Sequence, residues 1–444
     1  MAHKPKVLML GWEFPPILNG GLGVASYGLT KALSKLVDIT LILPITDPNF
    51  WVENIEMIGL NNFDIENIKI NSTTQRYEFL EHIQIEKIAA NLLPYQVADK
   101  VLFESTFSTS ELHPLKEKLR EELEVFKTND LYDGALGQRV YNFSKMACIL
   151  AFKKDFDIIH AHDWMTLVAA MEIKSATQKP MVAHIHSLEI DRNGVESYGN
   201  WISQIEKTAM EMADMVVAVS QYTANLIKEV YKIPAHKVYA VHNAIDQVPV
   251  FRSESSLPEK VVMFLGRVTG QKGPELFMDV ATKVLEYIPN VRFVMAGTGN
   301  KLKEMIEMGA YKDLGNRFHF TGFLSPEKVR YLLSISDVYV MPSVSEPFGL
   351  TALEAAQFGV PCVISNQSGV AEVLTSALKA DYWDVDKMSE NIISILKYKG
   401  LRDQLVKDAY ADLAKVSWEK SAAEVYNLYL HHIAEEEEEV LFIG

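Results

Sequence analysis

Two glutamates in the stretch SEPFGLTALEAAQFG carry the clearest chemical pattern of the chain. Glu346 lies in a loop after an apolar run, and Pro347, Phe348 and Gly349 lead from it into a helical pattern that carries Glu354. The N–H groups of such a loop and of the helix start can hold an anion or sugar hydroxyls. Glu354 can accept hydrogen bonds from two adjacent hydroxyls, such as those of a ribose. An ordinary solvated helix residue is the alternative.

Two cations follow the apolar run VVMFLG. Arg267 comes directly after this run, and Lys272 follows five residues later. A guanidinium and an ammonium at the end of a strand suit a phosphate or diphosphate group. The alternative interpretation is a pair of solvated loop charges.

Four histidines form two H-x-H pairs at the ends of predicted strands: His160, His162, His184 and His186. Alternate residues of a strand share a face, so both imidazoles of a pair can point the same way. Neutral imidazoles together with the carboxylate of Asp163 suit zinc. A polar substrate contact and a purely structural role stay open beside the metal site.

A glycine-rich loop, Gly20-Gly21-Leu22-Gly23, joins the first predicted strand to the first predicted helix. Glycines let the backbone approach a ligand closely, and a helix N-terminus offers unpaired N–H groups and a partial positive charge. The loop matches neither the G-x-G-x-x-G pattern nor a P-loop. A tight turn without a ligand is the alternative.

Short apolar runs alternate with helical stretches along most of the chain, which is typical of parallel sheets covered by helices on both faces. The sequence therefore predicts an α/β protein with two doubly wound domains that face a cleft. The predicted N-terminal domain spans 1–247 and contains an acidic excursion at 51–130; a linker at 248–260 joins it to a predicted C-terminal domain at 261–416. A final helix at 417–434 is predicted to pack back on the N-terminal domain, and an acidic tail at 435–444 follows it.

The charge balance excludes some partners. The chain has 444 residues with 43 Lys and Arg against 58 Asp and Glu, a formal net charge of −15. Such a chain without a large basic cluster is a poor nucleic-acid binder, because phosphates must be neutralised. Its apolar runs are shorter than the ~18 residues of a membrane span, and its N-terminus shows no signal-peptide pattern. We therefore expect a cytoplasmic protein that binds neither nucleic acid nor membrane; the oligomeric state stays open.

Taken in order, six stretches resemble motifs of the retaining glycosyltransferases with the GT-B architecture of two Rossmann-like domains. The resemblance is to the group that includes glycogen and starch synthases. The stretches are WEFPPILNGGLG, HAHDW, HIHSLE, VHNAID, GRVTGQKG and SEPFGLTALEAAQFG. The resemblance covers residues 5–50 and 131–434. It implies a hexosyltransferase with the GT-B fold.

The resemblance also implies roles by position. In the catalytic part, Arg267 and Lys272 match the basic pair that holds the donor diphosphate, and Glu346 matches the carboxylate that contacts the transferred sugar. His186 matches the histidine near the sugar hydroxyls, and Asp163 matches the aspartate of the H-x-H-D-W stretch. The donor-binding part contains the first loop, an asparagine, the backbone after Glu346 and the ribose carboxylate: Gly20, Gly21, Asn243, Phe348, Gly349, Leu350, Thr351 and Glu354.

Two positions depart from the family's pattern. Bacterial glycogen and starch synthases carry Lys-Thr-Gly-Gly-Leu in the first loop, whereas this chain begins the same stretch with Leu18. A leucine cannot place a cation near the donor phosphates, so the donor is not fixed as ADP-glucose and UDP-, ADP- and GDP-linked sugars stay open. Ala244 replaces the glycine of the family's V-x-N-G-x-D pattern.

The resemblance implies transfer with retention from a nucleotide-diphosphate sugar to a hydroxyl of a carbohydrate or other soluble acceptor. It implies front-face attack without a metal or other cofactor, because cations and N–H groups can neutralise the leaving diphosphate. Asp191 and Arg192 are predicted to face the acceptor. The alternatives are a metal-dependent hydrolase built on the H-x-H pairs, a phosphorylase or epimerase of the same fold, and a catalytically silent nucleotide-binding protein.

Overall fold

The computed structural model describes residues 4–18, 20–63, 117, 120–127, 131–132, 136–251 and 258–443, with side chains described up to residue 433. Most of the acidic excursion predicted at 51–130 lies outside the described residues.

The N-terminal domain is built on a seven-stranded parallel sheet. Its strands are β1 (Lys6–Leu10), β2 (Asp38–Leu43), β3 (Ile55–Gly59), β4 (Ile158–His162), β5 (Met181–Ile185), β6 (Met215–Ala218) and β7 (Val238–Ala240), in the order β3-β2-β1-β4-β5-β6-β7. The helices are α1 (Gly21–Leu33), α2 (Leu136–Ala151), α3 (Trp164–Thr177), α4 (Glu189–Asn193), α5 (Trp201–Met212) and α6 (Gln221–Glu229).

The C-terminal domain repeats this architecture with a six-stranded parallel sheet in the order β10-β9-β8-β11-β12-β13. Its strands are β8 (Lys260–Leu265), β9 (Val291–Ala296), β10 (Phe318–Gly322), β11 (Val338–Met341), β12 (Cys362–Ser365) and β13 (Leu378–Ala380). The helices are α7 (Pro274–Tyr287), α8 (Leu302–Tyr311), α9 (Pro326–Ile335), α10 (Leu350–Gln357), α11 (Val385–Lys397), α12 (Lys399–Leu413) and α13 (Trp418–Ile443). The predicted fold class, two doubly wound α/β domains, is confirmed.

Strand β1 at the centre of the first sheet buries side chains on both of its faces, because successive side chains point to opposite sides. Leu8 and Leu10 of β1 join a core beneath α2 and α3. Val7 and Met9 join a second core that α1 and α13 cover. Continuous apolar strands are therefore required, as the sequence pattern predicted.

Two elements extend into the segments predicted as an excursion and as a tail. Strand β3 lies inside the segment predicted as an excursion; it pairs only with β2, and its half-polar sequence IEMIG lacks the apolar run of a central strand. The helical backbone of α13 continues to Ile443 through the glutamate run that was predicted to be a separate tail. The division of the chain at 247 and 261 stays a prediction. Within the described residues, every helix is too short or too polar to cross a membrane.

Helix α13 returns from the C-terminal domain to the first sheet, where Trp418, Ala422, Val425 and Tyr429 enter the core beside α1. The indole of Trp418 lies directly against Gly28 of α1. A Cβ at this glycine would stand 2.2 Å from the ring. Gly28 is therefore the residue that lets the two helices approach closely.

We expect Gly28→Ala to lower the free energy of unfolding by about 1–3 kcal/mol, because the added methyl collides with a buried ring. Gly400→Ala is the matched control, since a Cβ there meets nothing within 4 Å. Thermal unfolding of both variants checks this. Equal midpoints for the two variants would show that α13 is not tightly packed on α1.

Candidate active site

Glu346 is held in the loop between β11 and α10, at the carboxyl edge of the second sheet. Its side chain is 7% exposed. Oε2 accepts hydrogen bonds from Lys272 Nζ at 2.5 Å and Ser343 Oγ at 3.1 Å. Its backbone N–H donates to Gln367 O, and its carbonyl accepts from Gly369 N, both at 2.9 Å. Because Oε2 carries both side-chain contacts, Oε1 is the oxygen that can meet a ligand.

Lys272 reaches this carboxylate because of a tight approach between two loops. It ends a short 3₁₀ helix, Gly270–Lys272, and Gly273 follows with φ 63°. A Cβ at Gly273 would lie 2.2 Å from Pro342 O, so only glycine allows this backbone contact. The fold thus brings together Lys272 and Glu346, to which the family resemblance gave separate roles. Arg267, on the same loop, is exposed.

The first residues of two helices, one from each domain, lie close together. Helix α10 starts after Gly349, which has φ 109°, and α1 starts after Gly20. Neither helix has a side-chain cap or an acidic residue in its first turn. A Cβ on Gly21 would lie 3.9 Å from Leu350 Cδ1, so the two starts are neighbours. Unpaired N–H groups and two positive dipole ends favour an anion between them.

Glu354 lies one turn inside α10 and is half-buried. Burial raises the pKa of this carboxyl to about 7. A carboxylate in this position gains from hydroxyl donors, which stabilise its charged form. The side chains of Phe348 and Thr351 play structural roles: Phe348 is buried in the core of the C-terminal domain, and Thr351 Oγ1 lies 2.7 Å from Tyr339 OH. Of these two residues only the backbone can serve a ligand.

The four histidines form a ladder of buried imidazoles on the face of the first sheet that α13 covers. His160 Nε2 lies 3.0 Å from His184 Nδ1, and His162 Nδ1 lies 2.9 Å from His186 Nε2. His160 Nδ1 is hydrogen-bonded to Tyr429 OH. Burial lowers the pKa of all four imidazoles, that of His162 to about 3. They are therefore neutral at physiological pH.

A metal site does not fit this ladder well. Ligand atoms of His160, His162 and His184 lie within 4.8 Å of one another. Tetrahedral zinc places its ligands about 3.4 Å apart. Here the rings of His160 and His162 are stacked, so their lone pairs run side by side instead of converging, and the His160 and His184 nitrogens already share a hydrogen bond. This geometry does not favour the metal-dependent hydrolase.

Asp163 fixes the backbone that carries His186. It adopts φ 59° before α3, is 4% exposed, and its Oδ1 accepts from His186 N at 2.6 Å and Ser187 N at 3.2 Å. Burial raises the pKa of Asp163 to about 7, against the opposing effect of Arg192 and these N–H groups. The carboxylate thus acts on the loop after β5. Asn243, 6% exposed, lies in the segment after β7.

Asp191 and Arg192 do not face an acceptor. Asp191 is 3% exposed and accepts from Leu188 N at 2.8 Å and from Ser345 Oγ. The Arg192 guanidinium is paired with Glu189 at 3.2 Å and Glu206 at 2.9 Å. Both side chains are used inside the protein, which a sequence pattern does not reveal.

Family models match both halves of the chain. The model described as starch synthase catalytic domain matches residues 6–239, more than half of the chain, and that described as glycosyl transferases group 1 matches residues 250–412. The chain is a group 1 glycosyltransferase. An uncharacterized glycosyltransferase of Methanocaldococcus jannaschii is 26% identical to it over 96% of this chain and 97% of the relative.

Solved structures share the fold of this glycosyltransferase. Sucrose-phosphate synthase from Thermosynechococcus elongatus superposes with a TM-score of 0.67 at 18% identity, over 98% of this chain and all of the other. The catalytic domain of starch synthase IV from Arabidopsis thaliana, bound to ADP and acarbose, also gives 0.67, at 16% identity, over 97% of this chain and all of the other. The fold is thus GT-B, as the sequence resemblance implied.

Sequence reasoning missed one polar group of the glycosyltransferase's cleft. Glu13 is 3% exposed, and Tyr132 OH donates to its Oε1. The Tyr132 ring is 40% exposed. Burial and the nearby charge of Glu13 raise the pKa of the Tyr132 hydroxyl. The charge of Asp163 raises this pKa further, and the charge of Arg267 lowers it. Glu13 belongs to the quoted stretch WEFPPILNGGLG, so a single acidic residue between apolar neighbours was the available signal.

We expect Tyr429→Phe to lower the free energy of unfolding by about 1–3 kcal/mol, because it leaves His160 Nδ1 buried without its partner. Tyr27→Phe is the control, since Tyr27 contacts Phe14 and Phe50 through its ring, which phenylalanine keeps. Chemical denaturation of the two variants tests this. The histidine ladder would not depend on α13 if Tyr429→Phe were as stable as the control.

Proposed function

We propose that this glycosyltransferase moves a hexosyl group from a nucleotide-diphosphate sugar to a hydroxyl of a carbohydrate or other soluble acceptor, with retention and without a metal. The observation that carries the proposal is the Lys272–Glu346 pair, which lies beside the uncapped start of α10. A cation, a carboxylate and unpaired N–H groups occur together at the edge where doubly wound sheets bind ligands.

The donor diphosphate belongs between the two helix starts, with Arg267 and Lys272 on the C-terminal side. Charge grows on the phosphate oxygen as the glycosidic bond breaks, and these fixed groups stabilise it at the place where it develops. They supply the positive charge that a divalent cation would otherwise provide. Leu18, 42% exposed, adds no charge from the first loop, so the cations of the C-terminal domain carry this role.

The sugar ring belongs beside Glu346 Oε1, with His186 on the opposite side of the cleft. In front-face transfer the acceptor oxygen bonds to the anomeric carbon on the side from which the diphosphate leaves. The acceptor proton passes to the departing phosphate oxygen. Glu346 then acts by positioning hydroxyls, which agrees with its pairing to Lys272.

The nucleotide ribose belongs at Glu354. Burial raises the pKa of this carboxyl, and hydrogen bonds from the ribose hydroxyls would stabilise its charged form. The starch synthase IV domain bound to ADP supports a nucleoside diphosphate as the common element of the donor. The base and the sugar stay open among UDP-, ADP- and GDP-linked hexoses.

A matrix of nucleotide sugars against oligosaccharide acceptors tests the proposal, with nucleoside diphosphate release and product anomer as readouts. We expect release that requires an acceptor, a product with the donor's anomeric configuration, and full activity in excess EDTA. Inversion would overturn the front-face mechanism, and loss of activity with EDTA would overturn the metal-independent one.

Lys272→Met should lower kcat/KM by about 100-fold, on the order of 3 kcal/mol of transition-state stabilisation, because it removes a cation from the leaving diphosphate. Lys272→Arg should recover part of the loss. Lys312→Met, which breaks the 2.9 Å pair with Asp279 on the surface of the same domain, is the control. Steady-state kinetics measure kcat/KM for these variants. A fully active Lys272→Met enzyme would contradict the role of Lys272 at the donor diphosphate.

Nucleotide-sugar affinity should rise with pH through about 7, because ribose hydroxyls bind the ionised form of Glu354. With a free pKa of about 7, binding at pH 6 should be about 10-fold weaker than at pH 8. Titration calorimetry with UDP- or ADP-glucose, whose diphosphates do not titrate in this range, measures it.

Glu354→Gln should abolish this pH dependence. Glu172→Gln is the matched control: burial raises the pKa of Glu172 to about 7 as well, but it lies against Ser144 and Cys148, away from the cleft. The ribose assignment is wrong if Glu354→Gln keeps the profile of the wild type.

A further inference from the structure

The residues on either side of Glu346 are both held by the other domain. Ser345 Oγ donates to Asp191 Oδ1 and lies 3.0 Å from Tyr222 OH. Pro347 O accepts from Ser220 Oγ at 2.6 Å. The N-terminal domain thus contacts the Glu346 loop immediately before and immediately after the carboxylate.

The C-terminal domain holds the same loop from behind. Gln271, next to Lys272, accepts from Val344 N at 2.9 Å through its backbone and donates to Ser345 O at 3.1 Å through Nε2. These contacts fix the backbone of the loop. The Ser345 hydroxyl points away from them, to Asp191.

A second contact sets the two domains in register. The Glu372 carboxylate accepts from Gln221 N at 2.8 Å and Tyr222 N at 2.7 Å, at the start of α6, and lies 2.6 Å from His242 Nε2. The start of α6 is therefore fixed to the C-terminal domain at the point where Tyr222 reaches Ser345.

Asp191 is suited to fix the loop because it is itself fixed. Its second oxygen, Oδ2, accepts from Leu188 N at 2.8 Å at the start of α4, and the side chain is 3% exposed. Because the Oδ2 atom of Asp191 is bonded within its own helix, its Oδ1 atom can accept a hydrogen bond from one direction only. Loss of the Ser345 hydroxyl would leave that oxygen without its donor.

We infer that Asp191 is a positioning residue for the transfer. Through the Ser345 hydroxyl it fixes the residue next to Glu346, so that this carboxylate meets the donor sugar only where the two domains are in contact. The inference rests on the proposed function and adds a residue of the acceptor-side domain to the control of the donor sugar. It predicts an effect on turnover that is separate from nucleotide binding.

Ser345→Ala is the test variant, because it removes both interdomain contacts of this hydroxyl, to Asp191 and to Tyr222, and leaves the Asp191–Leu188 contact in place. We expect kcat to fall about 10-fold or more, as for a displaced catalytic group. The Kd for the nucleoside diphosphate should stay within about twofold, because its predicted contacts lie elsewhere in the C-terminal domain. Ser345→Thr keeps the hydroxyl and should restore kcat. Ser334→Ala, which removes a buried hydroxyl bonded only within its own helix at 2.7 Å, should leave kcat unchanged.

Asp191→Asn separates positioning from general damage. The amide keeps one acceptor oxygen for Leu188 N and turns an N–H donor to the Ser345 hydroxyl, which can accept it, so kcat should stay above that of Ser345→Ala. In the Ser345→Ala background the same change should lower kcat no further. A Ser345→Ala enzyme with the kcat of an active wild type overturns the inference, and so does a parallel loss of kcat and nucleotide affinity. A wild type that releases no diphosphate from any donor instead overturns the proposed function.

Discussion

Parallel strand pairing is the constraint on which the rest of this structure depends. Within each sheet every described strand runs the same way, so all carboxyl ends emerge at one edge. This edge carries the glycine-rich turn, the strand ends with the histidine pairs, and the loops with Lys272 and Glu346. A parallel sheet must also be covered on both faces, which explains why the C-terminal helix α13 packs against the first sheet. The site and the position of α13 thus follow from one geometric rule.

Burial then decides what the polar groups at this edge can do. Four imidazoles are kept neutral by burial and form two hydrogen-bonded pairs, with Tyr429 from α13 as a further partner of His160. Glu346 is buried together with its own cation, which suits a group that orients hydroxyls. Glu354 is buried beside no described cation, and its pKa rises to about 7. Glu346 and Glu354 lie in one loop and the helix that follows it, but their chemistry differs because their partners differ.

Contact between the domains adds a second level of organisation. The Glu346 loop is shaped by its own domain through Gln271 and Gly369, but its flanking residues are held by Asp191 and Ser220 of the other domain. Hydrogen bonds of this kind are short-range and directional, so small domain movements break them. The inferred role of Asp191 makes the geometry of this loop depend on contact between the domains. This agrees with the need of a transferase to exclude water before the donor bond breaks.

The sequence by itself determined the fold class and the family, because apolar periodicity and local motifs are properties of neighbouring residues. Arg267, Lys272, Glu346 and Glu354 could be selected from their places after apolar runs. Strand β3 could not, since an edge strand needs no continuous apolar run. Only the tertiary structure decided that Asp163 fixes the His186 backbone, that Tyr132 pairs with Glu13, and that Asp191 points to Ser345 and not to an acceptor. These contacts join residues 23, 119 and 154 positions apart, and partner choice at such separations is set by how the chain packs in three dimensions.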